Sequence, residues 1–241
     1  MKFFITVFVL CVSVVAEELK PIMLIPGNQV LNENFSKSGK VDKKIWKPSQ
    51  ATRWIIKDGV LSGQQSSPEV QAKKEHHKGL EPRGASPATP REFIAYFKIR
   101  YFEGKRTKIL PFIEFGHHII RLRILEDNLD LVVDYESMQM AKSTPFKWKM
   151  GQWYECMAEL KGTEFVIQIK NGPKLYAKHD ILTQKAPSGQ DGLGVAGCRG
   201  GYIEIDDLKL WEAKDFKKDW SQKKKDFPAY KPVKVREKPK K

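Results

Sequence analysis

Cysteine is scarce in this chain. Three are present in 241 residues, and Cys11 lies in an apolar run near the start. The other two, Cys156 and Cys198, have no zinc-site spacing, so no metal and no other cofactor is expected. One disulfide or two separate thiols both stay open, because a bridge depends on a Cα separation that sequence does not supply. Helical periodicity is missing too. No apolar repeat near 3.6 residues, long enough for a helix, occurs before Glu212. Internal repeats are absent, which argues against stacked-repeat architectures. Beyond Phe3–Val15 no apolar run is prominent, and none is long enough to span a bilayer.

Acidic residues are also in deficit. The chain holds 43 Lys and Arg against 29 Asp and Glu, a net charge of +14. Residues 214–241 supply twelve basic and four acidic side chains, so most of the excess belongs to the tail. The start explains the compartment. Lys2 precedes the apolar run, and Val14-Val15-Ala16 places small residues before Glu17-Glu18, the pattern of a cleaved secretory signal over residues 1–16. Cys11 follows Leu10 inside the run, which is not a lipoprotein arrangement. An exported protein, periplasmic or extracellular, with a lysine-rich tail is expected to meet anionic polymer or a membrane surface, and nucleic acid is not an expected partner.

What the sequence has in quantity is two-residue alternation. From Trp153 to Gly172, WYECMAELKGTEFVIQIKNG, residues Tyr154, Cys156, Ala158 and Leu160 share one face, and Phe165, Ile167 and Ile169 share one face of a second strand. The turn at Lys161-Gly162-Thr163 and the following Asn171-Gly172 predict a half-buried antiparallel hairpin. Arg53–Gly63 reads as another hairpin about Asp58-Gly59. Phe93–Arg100, Lys108–Phe115, His118–Ile124 and Leu129–Asp134 continue the pattern. Matching the apolar faces sets Ile124 opposite Leu129, Leu122 opposite Leu131, Ile120 opposite Val133, and Arg123 opposite Asp130. Thr144–Met150, Lys174–Lys178, Gly192–Gly197 and Tyr202–Leu210 read as further strands. The expected organisation is an extended lead-in over 17–28, a single antiparallel jelly-roll β-sandwich over 29–213, and a basic Lys/Pro-rich tail over 214–241. In that tail a short helix precedes disorder. The irregular stretch Gln64–Arg91, with four prolines and the cluster Glu75-His76-His77-Lys78, reads as a functional loop.

Certain motifs carry a resemblance. The hairpin at 153–172 and the closing YIEIDDLKLW resemble concanavalin A-like (laminin G-like) jelly-roll sandwiches. The order of "LNENF", Trp46 and "W-x-x-x-DGVLSG" resembles the opening of the 3-keto-disaccharide hydrolase family, within a likeness extending from Val30 to Trp211. This resemblance implies a function among glycans: saccharide binding, hydrolysis of 3-keto-disaccharides or related sugars, or a laminin G-like adhesion role.

The residues themselves leave these classes open. Glu204 and Asp206 share a strand face, but Leu208 stands where laminarinase-type hydrolases place a second glutamate, and no intact catalytic pair of that type is present. The doublets His76-His77 and His117-His118 do not match a metal motif. The polar strand face gives more. Tyr96 and Arg100 on one strand and Arg121 and Arg123 on another point away from the apolar side, where arginine forks suit carboxylate or sulfate groups on a sugar. With His76, His77 and His117 they form the candidate ligand set for a saccharide or anionic polysaccharide. The competing reading is a solvated face of cross-strand ion pairs such as Arg123 with Asp130. Mass spectrometry of the exported protein is expected to find an N-terminus at or near Glu17; an intact Met1 would contradict the signal assignment.

Overall fold

The structure, a computed structural model, describes residues 18–186 and 192–235. The expected signal segment over 1–16 and the last six residues, 236–241, of the expected disordered tail lie outside these residues. Strands β1 (Leu24–Glu33), β2 (Lys47–Pro48), β3 (Arg53–Lys57), β4 (Val60–Gln64) and β5 (Arg83–Ala85) come first. The central run is β6 (Phe93–Tyr101), β7 (Phe112–Phe115), β8 (Ile120–Ile124), β9 (Leu129–Val133) and β10 (Met138–Lys142). The chain then forms β11 (Tyr154–Lys161), β12 (Glu164–Ile169), β13 (Lys174–Lys178), β14 (Leu193–Ala196), β15 (Ile203–Phe216) and β16 (Val233–Lys234).

These strands make two antiparallel sheets. Sheet A runs β13-β12-β11-β6-β15-β4-β3, with β1 added along the far half of β15, and sheet B runs β16-β10-β9-β8-β7-β14-β5-β2. Their inner faces meet in one core. Phe93, Phe97 and Ile99 on β6 and Phe165 and Ile167 on β12 face Phe115, Leu122, Leu131 and Val195 from sheet B. Phe115 sits between the sheets' aromatic rings, 5.4 Å from Phe93 and 5.0 Å from Phe165 by centroid. Such pairs add to area burial because ring edges and faces carry opposite partial charge.

The alternation predicts the hairpins well. Leu160 pairs with Phe165, Ala158 with Ile167 and Cys156 with Ile169 across β11 and β12. Ile120 pairs with Val133, Leu122 with Leu131, Arg123 with Asp130 and Ile124 with Leu129. Asp58 and Gly59 both take positive φ, +52° and +76°, as a two-residue turn of this hand requires. Several details differ. Residues 144–150 form no strand; Trp148 is buried there and anchors a loop. A short helix, α1 (Pro68–Ala72), forms within the 64–91 loop, with Ser67 as its N-cap. Cys156 and Cys198 are buried free thiols.

The ends of the described chain pack where the sequence predicts a lead-in and a loose tail. β1 already begins at Leu24, within the expected lead-in, and pairs with Phe216 at the end of β15. On the outer face of sheet A, Met23, Leu24, Ile94, Met157, Val166 and Trp220 form a second apolar cluster. The buried Glu159 carboxylate ties this arrangement together, accepting hydrogen bonds from the backbone N–H groups of Ile22, Met23 and Leu24 at 2.8, 3.0 and 2.7 Å. Trp220, at the start of α2 (Trp220–Lys223), is 3% exposed and packs against Tyr176 and Phe227. Its indole N–H donates to Glu164. Phe216 belongs to β15, so it does not share the helix with Trp220. Lysine content thus hides a docking segment. Trp220→Ala is expected to cost about 3–5 kcal/mol, lowering the calorimetric melting temperature by roughly 10 °C in a chain of this size. An unchanged melting temperature would mean that the segment does not dock.

Candidate functional site

Sheet B carries a charged cluster on its outer face, placed there by alternation. On β7, Ile113 and Phe115 enter the core while Phe112 and Glu114 point outward; on β8, Ile120, Leu122 and Ile124 enter while Arg121 and Arg123 point outward. The register sets Glu114 opposite Arg121. On the other flank of β7, strand β14 offers only Gly194 and Ala196 at its outward positions, followed by Arg83 on β5. A Cβ at Gly194 would stand 3.0 Å from the Glu114 Cγ, so the small residues leave a trough over which longer side chains lie. Gly84 is required for another reason: a Cβ there would come 2.3 Å from the Trp46 indole nitrogen packed beneath β5.

Arg121 is the centre of the cluster. Only 3% of its side chain is exposed; Nε donates to Glu114 Oε2 and Nη1 to Asp134 Oδ2, each at 2.8 Å. The Arg121 and Arg83 guanidinium groups lie 4.3 and 5.2 Å from the centroid of the Phe112 ring. His117 Nδ1 is 3.3 Å from Glu114 Oε1, and His118 Nδ1 hydrogen-bonds Asp134 Oδ2. Because His118 Nδ1 donates to the carboxylate, the 3.1 Å approach of Arg121 Nη2 to the same nitrogen is a contact of two donors gathered by one acceptor. Burial alone would raise the Glu114 carboxyl, but the His117 hydrogen bond and the Arg121 and Arg83 charges outweigh it and hold it at about 2. Burial lowers the Arg83 guanidinium, with Glu114 opposing the shift.

Above this buried network lies an exposed rim. The His117 and His118 rings are 4.0 Å apart, and Tyr135, in the β9–β10 turn, lies 5.4 Å from His118 and is 38% exposed. Adjacent residues in a strand would face opposite ways. Here both imidazoles reach one cluster because the chain turns, with His118 at φ +65°. Among the described residues no group of His, Cys, Asp and Glu is arranged to hold a metal ion.

The candidate residues separate into three places. Arg121, Arg123 and His117 share the outer face of sheet B. Arg123 is closed, because its fork binds the fully buried Asp130, to which Gln139 also donates. Tyr96 and Arg100 do not join them. Strand β6 belongs to sheet A, where Tyr96 donates to Glu155 at 3.1 Å and Arg100 pairs with Glu204 between Phe102 and Trp153. His76 and His77 line a third place, a cavity of about 620 Å³ shared with Gln50, Glu81 and Arg199. The expectation of a single polar face joining Arg100 to Arg121 is therefore corrected: strand pairing puts them in different sheets. Arg121 is also a buried partner of two carboxylates and not a free ligand arm. Arg83, Phe112, Asp134 and Tyr135 were not in the candidate set, although the β8–β9 register already places Asp134 close to Arg121.

No protein-family profile matches the sequence, and comparison with curated proteins gives no match. Solved structures share the fold. A variant of SCLam, a non-specific endo-β-1,3(4)-glucanase from family GH16, was crystallised with 1,3-β-D-cellobiosyl-cellobiose. It superposes with a TM-score of 0.50 at 11% identity, over 82% of this chain and 100% of that one. A sialidase is similar with a TM-score of 0.50 at 12% identity, over 82% of this chain and 19% of its own length. These likenesses establish the jelly-roll sandwich, the fold class the alternation and the resemblance imply.

Stability should report the Glu114 network directly. Its folded pKa of about 2 lies below the reference 4.5. Its contribution is therefore complete above about pH 4.5 and is lost as pH falls toward 2, on the order of 3 kcal/mol at 1.36 kcal/mol per unit. Urea unfolding at stepped pH is expected to show this slope in the native chain and to lose it in Glu114→Gln. An equal acid slope in the variant would contradict the arrangement.

Proposed function

We propose that the chain is an exported carbohydrate-binding protein that holds a saccharide against the outer face of sheet B, at the His117–His118–Tyr135 rim. The observation that carries this reading is the Arg121 network. One buried guanidinium fixes two carboxylates, each carboxylate fixes an imidazole, and a tyrosine ring stands exposed beside them. Sugar hydroxyls are read by oriented polar side chains, and sugar rings pack on aromatic faces. Groups held in place before binding lose little freedom when the ligand arrives. The fold likeness supports the same class: the similar glucanase structure presents a glucan fragment at its active site.

The charge balance favours a neutral sugar. Arg121 is matched by Glu114 and Asp134, and Arg123 by Asp130, so neither arginine has charge to spare for an acidic ligand. Binding is favoured over hydrolysis because a retaining or inverting glycosidase requires a protonated carboxyl to donate to the leaving oxygen. Glu114, held ionised, does not serve as that acid. A second reading, cleavage of a 3-keto-disaccharide, draws on His118, whose imidazole is oriented by Asp134 as a general base would be.

Titration calorimetry with neutral laminari- and cello-oligosaccharides is expected to show binding. Tyr135→Ala and His118→Ala should each weaken it about tenfold, near 1.4 kcal/mol, while melting with the native chain because both side chains are more than a third exposed. Unaltered affinity in both variants would remove the rim from the site. Release of monosaccharide from a 3-keto-disaccharide, lost in His118→Ala, would replace the binding reading with the hydrolytic one.

A further inference from the structure

The outer face of sheet A holds a cavity of about 700 Å³ with a different chemistry. Trp153 and Tyr154 line one side, at the start of β11, and four lysines stand around it: Lys98, Lys147, Lys149 and Lys170. Two of these are engaged. Lys98 pairs with Asp207, and Lys170 with Glu155 at 2.8 Å. Lys147 and Lys149 are exposed and make no ion pair among the described residues.

Their placement follows from the residue between them. Trp148 is 1% exposed and packs 4.0 Å from the Tyr154 ring and 6.0 Å from Tyr101 by centroid. The Lys149 backbone N–H donates to the Tyr154 hydroxyl at 2.9 Å. With Trp148 fixed in the core, the lysines on either side are both turned outward to the cavity. Of the two carboxylates in the lining, Glu155 is taken by Lys170 and by the Tyr96 hydroxyl, and Asp206 accepts from the Asp207 backbone N–H, so Lys147 and Lys149 outnumber the one carboxylate left to face them. Arg100 lies 4.7 Å from the Trp153 ring centroid and holds that ring in position. Gln152 and Asn171 add exposed amides at the edge. The volume lies within the range of pockets that hold small ligands.

We propose that this cavity is a second saccharide site, which takes an anionic sugar carrying sulfate or carboxylate groups. Lys147 and Lys149 receive the acid groups, Trp153 meets the sugar ring, and the two amides meet hydroxyls. A site for phosphate alone would be expected to present an arginine fork or clustered backbone amides; point charges beside an indole and amides suit a ring that bears both acid groups and hydroxyls. The proposal stands independently of the reading for sheet B, where the arginines are already neutralised.

The test is calorimetry with a sulfated heparin tetrasaccharide, its desulfated and carboxyl-reduced counterpart, inorganic sulfate and a single-stranded DNA oligonucleotide of equal charge. The native chain is expected to bind the sulfated tetrasaccharide about tenfold or more tightly than the other three. K147Q/K149Q should lose about tenfold with an unchanged melting temperature, and K147R/K149R should retain binding. The tail variant K231Q/K234Q and the rim variant Tyr135→Ala should bind the tetrasaccharide like the native chain, which separates this site from the tail and from sheet B. Undiminished affinity in K147Q/K149Q, an equal loss in the tail variant, or equal binding of sulfate or of the oligonucleotide would each overturn the assignment.

Discussion

The outer face of sheet B depends on the register of β7, β8 and β9. With Ile120 opposite Val133 and Leu122 opposite Leu131, the apolar side chains enter the core and Arg121 and Arg123 leave it. A slip of one residue would reverse every position of the moved strand. Each expelled Ile, Leu or Val would lose about 1.5–3 kcal/mol of burial, and two guanidinium groups would enter the core without partners, at several kcal/mol each. The core therefore orders the charged cluster. Glu114 and Asp134 meet on Arg121 because Phe115 and Val133 are held between the sheets.

That constraint is local, and it was legible. Two-residue alternation with Gly turns identifies β3 with β4 and β11 with β12, and matching of apolar faces identifies β8 with β9 together with the Arg123–Asp130 pair. Sheet membership was not legible in the same way. Tyr96 and Arg100 carry the same apolar-in, polar-out pattern as Arg121 and Arg123, yet β6 pairs with β11 and β15 while β8 pairs with β7 and β9. Partners at such separations leave no trace in a local period. The histidine doublet misleads for a different reason. Extended neighbours point apart, but the left-handed backbone of His118 bends the chain and brings both rings to one side.

The two outer faces are unlike in what they present. Sheet B shows a network in which basic and acidic groups are matched and buried, with aromatic and imidazole rings above it. Sheet A is partly covered by the docked chain ends, and where it is open it shows unmatched lysines beside an indole. The lysine-rich end also combines two behaviours: Trp220 and Phe227 are held by Tyr176 and Glu164, while most lysines around them stay in water. Composition averages over both and reads the segment as loose.

The pairing of the chain ends bears on how the protein comes into being. Lys217 reaches the Pro21 carbonyl across 196 positions, and β1 finds its partner only in the last part of β15. A chain that emerges from the ribosome or a translocation channel with its N-terminus first exposes β1 long before that partner exists. The strand then waits as an open edge, the kind of surface other chains pair with. Contacts this distant in sequence also form slowly, since the intervening chain must be closed into a loop first. Sheet A is thus completed only once β15 is available, and until that pairing forms β1 is the edge most open to other chains.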